Sequence, residues 1–436
     1  MTASLARDLA PPLPEPEILA PPGRFGGARD RIAFFSRCIR EDGSTVRISS
    51  RQALYVLNAP ADIRHVLVTN HANYVKTRRV STRRSDWPST GSLMTSSGSA
   101  HRRRRRTLQP IFRQPLIELL VSRTQDNAER FCEALADGQI VDTRLQMRAL
   151  AERNILETIF GPLPEEAVDR LVRSSLARSR FTAHVFFSNV RFPEYLPRRL
   201  IVDHALASRR HDRIADTAIE RERRGERCGH MLSLLMSASD GEGSCLSDRD
   251  LRDELRTLTL TGYESVGDGL AWTSYLLARY PDIQEAIRAP DAEPLTARVI
   301  RESLRVYPPT WLFVRKARDA DLLPSGTSVE AGAQLCISPW VVHRNPGLWP
   351  DPERFDPDRF LPSEADRRPR YAYLPFGGGP HTCIGESLAM AEIMAAIAVL
   401  TSHHRLVLAS AQSPSAEGGL TLRAAGLRLR FQRRTD

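Results

Sequence analysis

No window of the chain approaches the roughly 18 consecutive apolar residues that a membrane-spanning helix needs. The start, MTASLARDLAPPLPEPEILAPPG, lacks the basic and apolar regions of a secretory signal. It reads as an extended proline-rich leader over residues 1–25, ahead of one domain over 26–436 in a cytoplasmic protein. Cysteine is sparse: positions 38, 132, 228, 245, 336 and 383 are scattered, with no C-x-x-C pair. That argues against a zinc site and against a disulfide framework. No G-K-S/T follows any glycine cluster, and no G-x-G-x-x-G follows a strand, so a phosphate loop and a flavin or nicotinamide fingerprint are both missing. Internal repeats are absent too. Acidic residues are in deficit, 52 against 62 basic ones, leaving a net charge of +10 that favours an acidic partner. The densest basic run, HRRRRR at 101–106, has no nucleic-acid module around it. A solvated or partner-docking face is its better reading.

What is present is an ordinary globular composition, 41% hydrophobic and 26% charged, over 436 residues. Short β-like stretches occur at STVRIS, ALYVLNA, AQLCIS and RLVLA, and GLTLRAAGLRLRF alternates as a hairpin would. The rest carries leucine and alanine at helical spacing, which makes the fold mainly α with small β-sheets. One helix starts at Ser247 with Asp250 in a capping-box position and runs to Tyr280, before Pro281. At about 30 residues it is roughly 45–50 Å long, enough to cross a domain. Gly262, Gly267 and Gly269 sit in its middle, each costing up to about 1 kcal/mol against alanine. Either a ligand or a neighbouring helix approaches the backbone there. A second helix, EPLTARVIRESLRVYPP, places Glu302 and Arg305 on one face. The proline-punctuated segment DPERFDPDRFLP follows at 351–362.

The stretch FGGGPHTCIG (376–385) surrounds Cys383 with glycines that permit positive φ and close approach to a flat ligand. A buried-helix sequence follows, so Cys383 lies at a helix N-terminus, where the dipole and free N–H groups favour a thiolate. Such a thiolate suits a nucleophile or an axial ligand to haem iron. His381, only two residues away, is badly placed to serve as the base of a cysteine hydrolase.

The spacing of Phe376, Gly377, Gly379, His381, Cys383 and Gly385 resembles the haem-binding signature of the cytochrome P450 monooxygenases. Glu302 and Arg305 resemble that family's helix pair, PDRF (357–360) its following coil with Arg359, and TGYES (261–265) its oxygen-binding kink. HRRRRRTLQPIF is similar to its haem-contacting helix near the front. The resemblance implies the cytochrome P450 fold with a long central helix crossing the haem. It also implies haem b (iron protoporphyrin IX) with Cys383 as the axial ligand to iron, and Gly262 where the helix meets the haem face. His101, Arg105, Arg315 and His381 are then propionate partners, since buried carboxylates require charge-assisted donors. Glu302, Arg305 and Arg359 form a buried structural cluster, and Glu264 and Ser265 deliver protons to O₂. The family usually has threonine where Ser265 stands.

The implied reaction puts one oxygen atom from O₂ into a lipophilic molecule such as a terpenoid, polyketide or fatty acyl group. Segments 80–94, 181–197 and 310–313 would line the pocket, while Arg78, Arg79, Arg83 and Arg84 read as surface. Electrons come from a separate acidic ferredoxin or flavodoxin with its reductase, docking on Arg102 and Arg106 of a monomer. The alternatives are a peroxide-driven oxygenase, a haem-thiolate coupling or rearrangement enzyme and, more distantly, a basic nucleic-acid-binding protein. Glu264 and Ser265 argue against the peroxide specialist.

Overall fold

The computed structural model describes residues 17–19, 28–48, 53–76, 91–187, 198–226, 230–239, 243, 245–289 and 291–435. Among them, eight helices have eleven residues or more: α1 (Gly98–Leu108), α2 (Gln114–Ala134), α3 (Thr143–Phe160), α4 (Glu165–Phe187), α5 (Arg198–Arg223), α6 (Asp248–Arg279), α7 (Glu293–Val306) and α8 (Glu386–His403). No helix of these residues is long and apolar enough to cross a membrane.

The expected cap of α6 is present. The Ser247 hydroxyl accepts from the Asp250 N–H at 3.2 Å, and the Asp250 carboxylate accepts from the Ser247 N–H at 3.3 Å, so orphan donors at the helix start are satisfied reciprocally. The helix stops at Tyr280, before Pro281. Its second half is buried on nearly every face. Trp272 stacks on Tyr307 with ring centres 3.7 Å apart, and its indole N–H donates to the Leu422 carbonyl. The main apolar core lies where α2, α3, α6, α7 and α8 meet.

The mid-helix glycines resolve one open alternative. A Cβ on Gly262 would lie 2.9 Å from Ile155 Cγ1, and one on Gly267 would lie 2.7 Å from the Arg148 Cα. Both neighbours belong to α3, so the close approach of α3, the helix-packing alternative, is what requires glycine at these positions. Gly269 faces Ile393 of α8.

The largest sheet has six strands, in the order Glu17–Leu19, Val46–Ile48, Leu54–Leu57, Gln334–Ile337, Phe313–Ala317 and Tyr74–Lys76. Glu17–Leu19, which falls within the presumptive leader, pairs in parallel with Val46–Ile48. The remaining leader positions in 1–25 lie outside the described residues, as do 77–90 and 188–197. Those gaps take in Arg78, Arg79, Arg83, Arg84 and most of the expected pocket-lining segment 181–197.

A correction concerns GLTLRAAGLRLRF. Leu422–Ala425 pairs with Ser415–Gly418, while Arg428–Arg433 pairs with His404–Leu408 and Gln139–Asp142. The two strands join different sheets and form no hairpin with one another. Gly426, at φ 76°, turns the chain between them, and Leu427 is buried at the crossing.

Candidate active site around Cys383

The cysteine loop is shaped by its backbone. The Cys383 N–H donates to the Phe376 carbonyl at 2.9 Å, and the Thr382 N–H donates to the Gly379 carbonyl at 3.0 Å. Gly379 has φ 68°, and a Cβ there would lie 2.0 Å from the Leu67 carbonyl oxygen, so no other residue fits. Gly377 also takes a positive φ, 73°. Three residues after the cysteine α8 begins, with Gly385 at its N-cap position. The Cys383 side chain is exposed yet has protein on most sides, the combination expected of a residue lining an internal cleft. Burial raises the thiol pKa, while the Gly385 N–H and the Arg105 guanidinium oppose it by favouring the thiolate.

Beside the loop, basic side chains gather, and among the described residues no carboxylate is one of the charged groups that act on them. His381 Nδ1 and His101 Nε2 are 3.1 Å apart. Arg105 of α1 donates through Nη1 to the Thr382 carbonyl at 2.7 Å, so part of its donor set is committed to the cysteine loop. Arg315 is buried, and its guanidinium donates to the neighbouring Val314 carbonyl at 3.2 Å. Lys76, which sequence reasoning missed, pairs with Arg315 across antiparallel strands and donates to the Met94 carbonyl at 2.8 Å. Like charges directly opposed on adjacent strands destabilise a sheet. The charged neighbours that perturb Lys76, His101 and His381 are all basic. Burial first, and then that mutual repulsion, brings Lys76 down to about 8, His101 to about 4 and His381 to about 2. A dianionic ligand edge relieves all of these strains together. One signal for Lys76 was available: the chain contains only two lysines, Lys76 and Lys316, among its 62 basic residues.

The α6 wall divides the predicted proton-delivery pair. Ser265 is half-exposed, and its hydroxyl donates to the Thr261 carbonyl at 3.0 Å; Thr261 is exposed, in a helix otherwise largely buried. Glu264 points the other way. It is buried, and Oε1 accepts from both Arg148 of α3 and Ser179 of α4. Burial raises its pKa, with Arg148 and Ser179 opposing. Arg148 was not foreseen, because nothing local marks it.

The predicted structural cluster assembles. Arg305 Nε and Nη2 fork onto the Glu302 carboxylate at 2.7 and 2.8 Å, and Arg359 Nε stands 3.5 Å from Glu302 Oε1. Arg305 also donates to the carbonyls of His343, Pro352 and Arg354, which fastens the irregular 351–362 segment to α7. Two pocket assignments are corrected. Trp311 is buried against Phe35 and donates to the Gly419 carbonyl, so it belongs to the core. Phe181 is buried and stacks on His204. A cleft of about 560 Å³ at the far end of α6, lined by Arg279, Tyr280 and Phe355, includes none of these groups.

The family model described as Cytochrome P450 matches residues 28–429. The chain belongs to the cytochrome P450 family. Among its relatives, cyclooctat-9-en-7-ol 5-monooxygenase of Streptomyces melanosporofaciens is 34% identical over 72% of each chain. Pentalenene oxygenase of Streptomyces avermitilis is 30% identical over 87% of each. A retinoic acid-bound cyanobacterial CYP120A1 superposes with a TM-score of 0.82 at 21% identity, covering 97% of this chain and 100% of that one. The cytochrome P450DA heme domain gives 0.81 at 20% identity, covering 97% and 98%. The protein is therefore a cytochrome P450 monooxygenase, an oxidoreductase of the family that carries haem iron. Its residues fit that group. The glycine-shaped loop brings its backbone close around Cys383, whose thiolate the Arg105 guanidinium favours. The donors of Lys76, His101, Arg105, Arg315 and His381 suit its two propionates, the lysine and arginines by charge and the histidines by ring N–H.

Proposed function

We propose that this P450 hydroxylates or epoxidises a terpenoid hydrocarbon or a lightly oxidised terpenoid alcohol. The observation that carries the substrate class is the 30–34% identity to two terpenoid oxygenases over 72–87% of the chain. The cofactor is haem b, held by Cys383 at the iron, by Lys76, His101, Arg105, Arg315 and His381 at the propionates, and by the backbone of Phe376, Gly377, Gly379 and Gly385. Bound there, it supplies the reductive activation of O₂, which thiolate donation favours.

The remaining work belongs to side chains of the chain. The Ser265 hydroxyl, bonded to the Thr261 carbonyl, holds a donor at the open face of α6. Glu264, one residue back, accepts from Arg148 and Ser179 and exchanges protons with that hydroxyl by rotating about its own side chain. Serine keeps the donor of the usual threonine but loses the methyl that restrains its rotamer, so more peroxide escapes. Arg102, Arg103 and Arg106 are exposed on α1, whose Arg105 reaches the cysteine loop, and this face receives an acidic ferredoxin or flavodoxin in the cytoplasm.

The test is turnover of cyclic terpene hydrocarbons and alcohols with a ferredoxin and its reductase under ¹⁸O₂. The expected result is a shift of the haem absorption band on binding and one labelled oxygen in the product. Binding and turnover confined to linear fatty acids would reject the terpenoid assignment.

A further inference from the structure

Behind Glu264, away from the open face of α6, three helices bring together polar groups that they do not satisfy. Arg148 and Glu152 come from α3, Ser175, Arg178 and Ser179 from α4, and Tyr263 and Glu264 from α6. All but Ser179 are buried. Arg148 Nε, Glu152 Oε1, Arg178 Nε and Nη1, the Tyr263 hydroxyl and Glu264 Oε2 have no hydrogen-bond partner among the described residues. The groups are mutual neighbours. The Arg148 guanidinium carbon lies 5.3 Å from the centre of the Tyr263 ring, and Glu152 feels the charges of Arg148, Glu264 and Arg178. Each such atom left bare costs about 1–3 kcal/mol, and ordered water is the usual remedy where several converge.

Two carboxyls in one buried cluster do not ionise independently. Glu264 carries the direct bonds from Arg148 and Ser179, so it is the one favoured to hold the charge. Glu152 lacks such a bond from an arginine, so of the two it is the carboxyl that more readily keeps a proton. We propose that Glu152 is a positioning residue for the oxygenase reaction, joined through water held by Arg148, Arg178 and Tyr263 to the ionised Glu264, which takes up the Glu152 proton before passing it on toward Ser265. The inference rests on the reading of Glu264 as the proton donor behind Ser265. In the step, the O–H bond of Glu152 breaks, a proton passes along water and an O–H bond forms on Glu264. Nothing is oxidised or reduced. Glu152 is left a carboxylate facing Arg148 and Arg178, and takes its next proton from solvent. Consistent with this geometry, burial brings its carboxyl up to about 7, with Ser175, Arg148 and Arg178 pulling down and Glu264 pushing up.

Two readouts on the intact holoenzyme test this. The first needs no turnover: infrared difference spectra of wild type against Glu152→Gln. A carbonyl band of a protonated carboxylic acid, shifted in D₂O and titrating at about 7, is expected in the wild type and absent from the variant. The second is stopped-flow O₂ consumption by the chemically reduced holoenzyme in H₂O and D₂O. Glu152→Gln should slow it by roughly tenfold to a hundredfold, flatten its pH profile and enlarge its solvent isotope effect. Glu152→Asp should restore part of the rate, and Tyr263→Phe, which keeps the ring over Arg148, should slow it in the same direction. If Glu264→Gln slows the reaction while Glu152→Gln leaves both readouts unchanged, the role of Glu152 is overturned and that of Glu264 stands. If Glu264→Gln also changes nothing, the reading beneath it falls as well.

Discussion

Glu302 and Arg305 have no exposed side-chain surface, and each satisfies the other. Removing one leaves a buried charge that the protein cannot hydrate. Glu302→Ala is therefore expected to destabilise the fold by about 3–5 kcal/mol in denaturant titration. A loss below about 1 kcal/mol would place the cluster on the solvated surface instead. Glu392 of α8 supplies the pH test. Its carboxylate accepts from Asn154 at 2.9 Å, and burial raises its carboxyl from 4.5 to about 8. Because the folded value lies above the unfolded one, the stability this group contributes is fully present below 4.5 and is lost as pH rises through about 8. The melting temperature of wild type relative to Glu392→Gln should fall steadily over that interval, whereas parallel curves would contradict the assignment. At this scale legibility tracked local chemistry. Cys383 could be read because its loop needs glycine at particular places, and Glu302 because a helix puts Arg305 beside it. Lys76 and Arg148 could not, since their partners arrive from strands and helices far away in sequence.

Among the elements, α6 shows what local signals carry and what they omit. Its start and stop follow from Ser247, Asp250 and Pro281, and the structure reproduces them. What its glycines face is a tertiary matter, decided by α3. Gly267→Ala drives a methyl into the Arg148 backbone, which cannot retreat, and should cost about 1–3 kcal/mol despite the better helix propensity of alanine. Gly262→Ala meets only the Ile155 side chain. Combined with Ile155→Ala, its loss should be smaller than the sum of the single variants, as a double-mutant cycle in denaturant would show. Strict additivity would mean the two helices do not touch there. The terminal alternation misled for a related reason: period-two patterning identifies strands but not their partners, and Gly426 redirects the second strand to another sheet.

For the whole molecule, the mainly helical architecture was legible, and so was the order of its haem-family segments, because each carries its own short pattern. Pocket walls were not, because Trp311 and Phe181 look the same in sequence whether they face a substrate or a core. The net charge of +10, with Arg102, Arg103, Arg106 and Arg113 exposed along and just after α1, supports the proposed docking face. Reduction by an acidic ferredoxin should slow several-fold between about 0.05 and 0.5 M salt, and an Arg102→Glu/Arg106→Glu variant should lose most of that dependence. Rates indifferent to salt would move the docking face elsewhere. The most direct measurement is the carbon monoxide spectrum of the dithionite-reduced protein, taken beside Cys383→Ser. The wild type should show the shifted band of thiolate-ligated haem, and the variant should lose it while remaining folded. An unshifted band in the wild type, or the same shifted band in both proteins, would contradict a bond between Cys383 and iron.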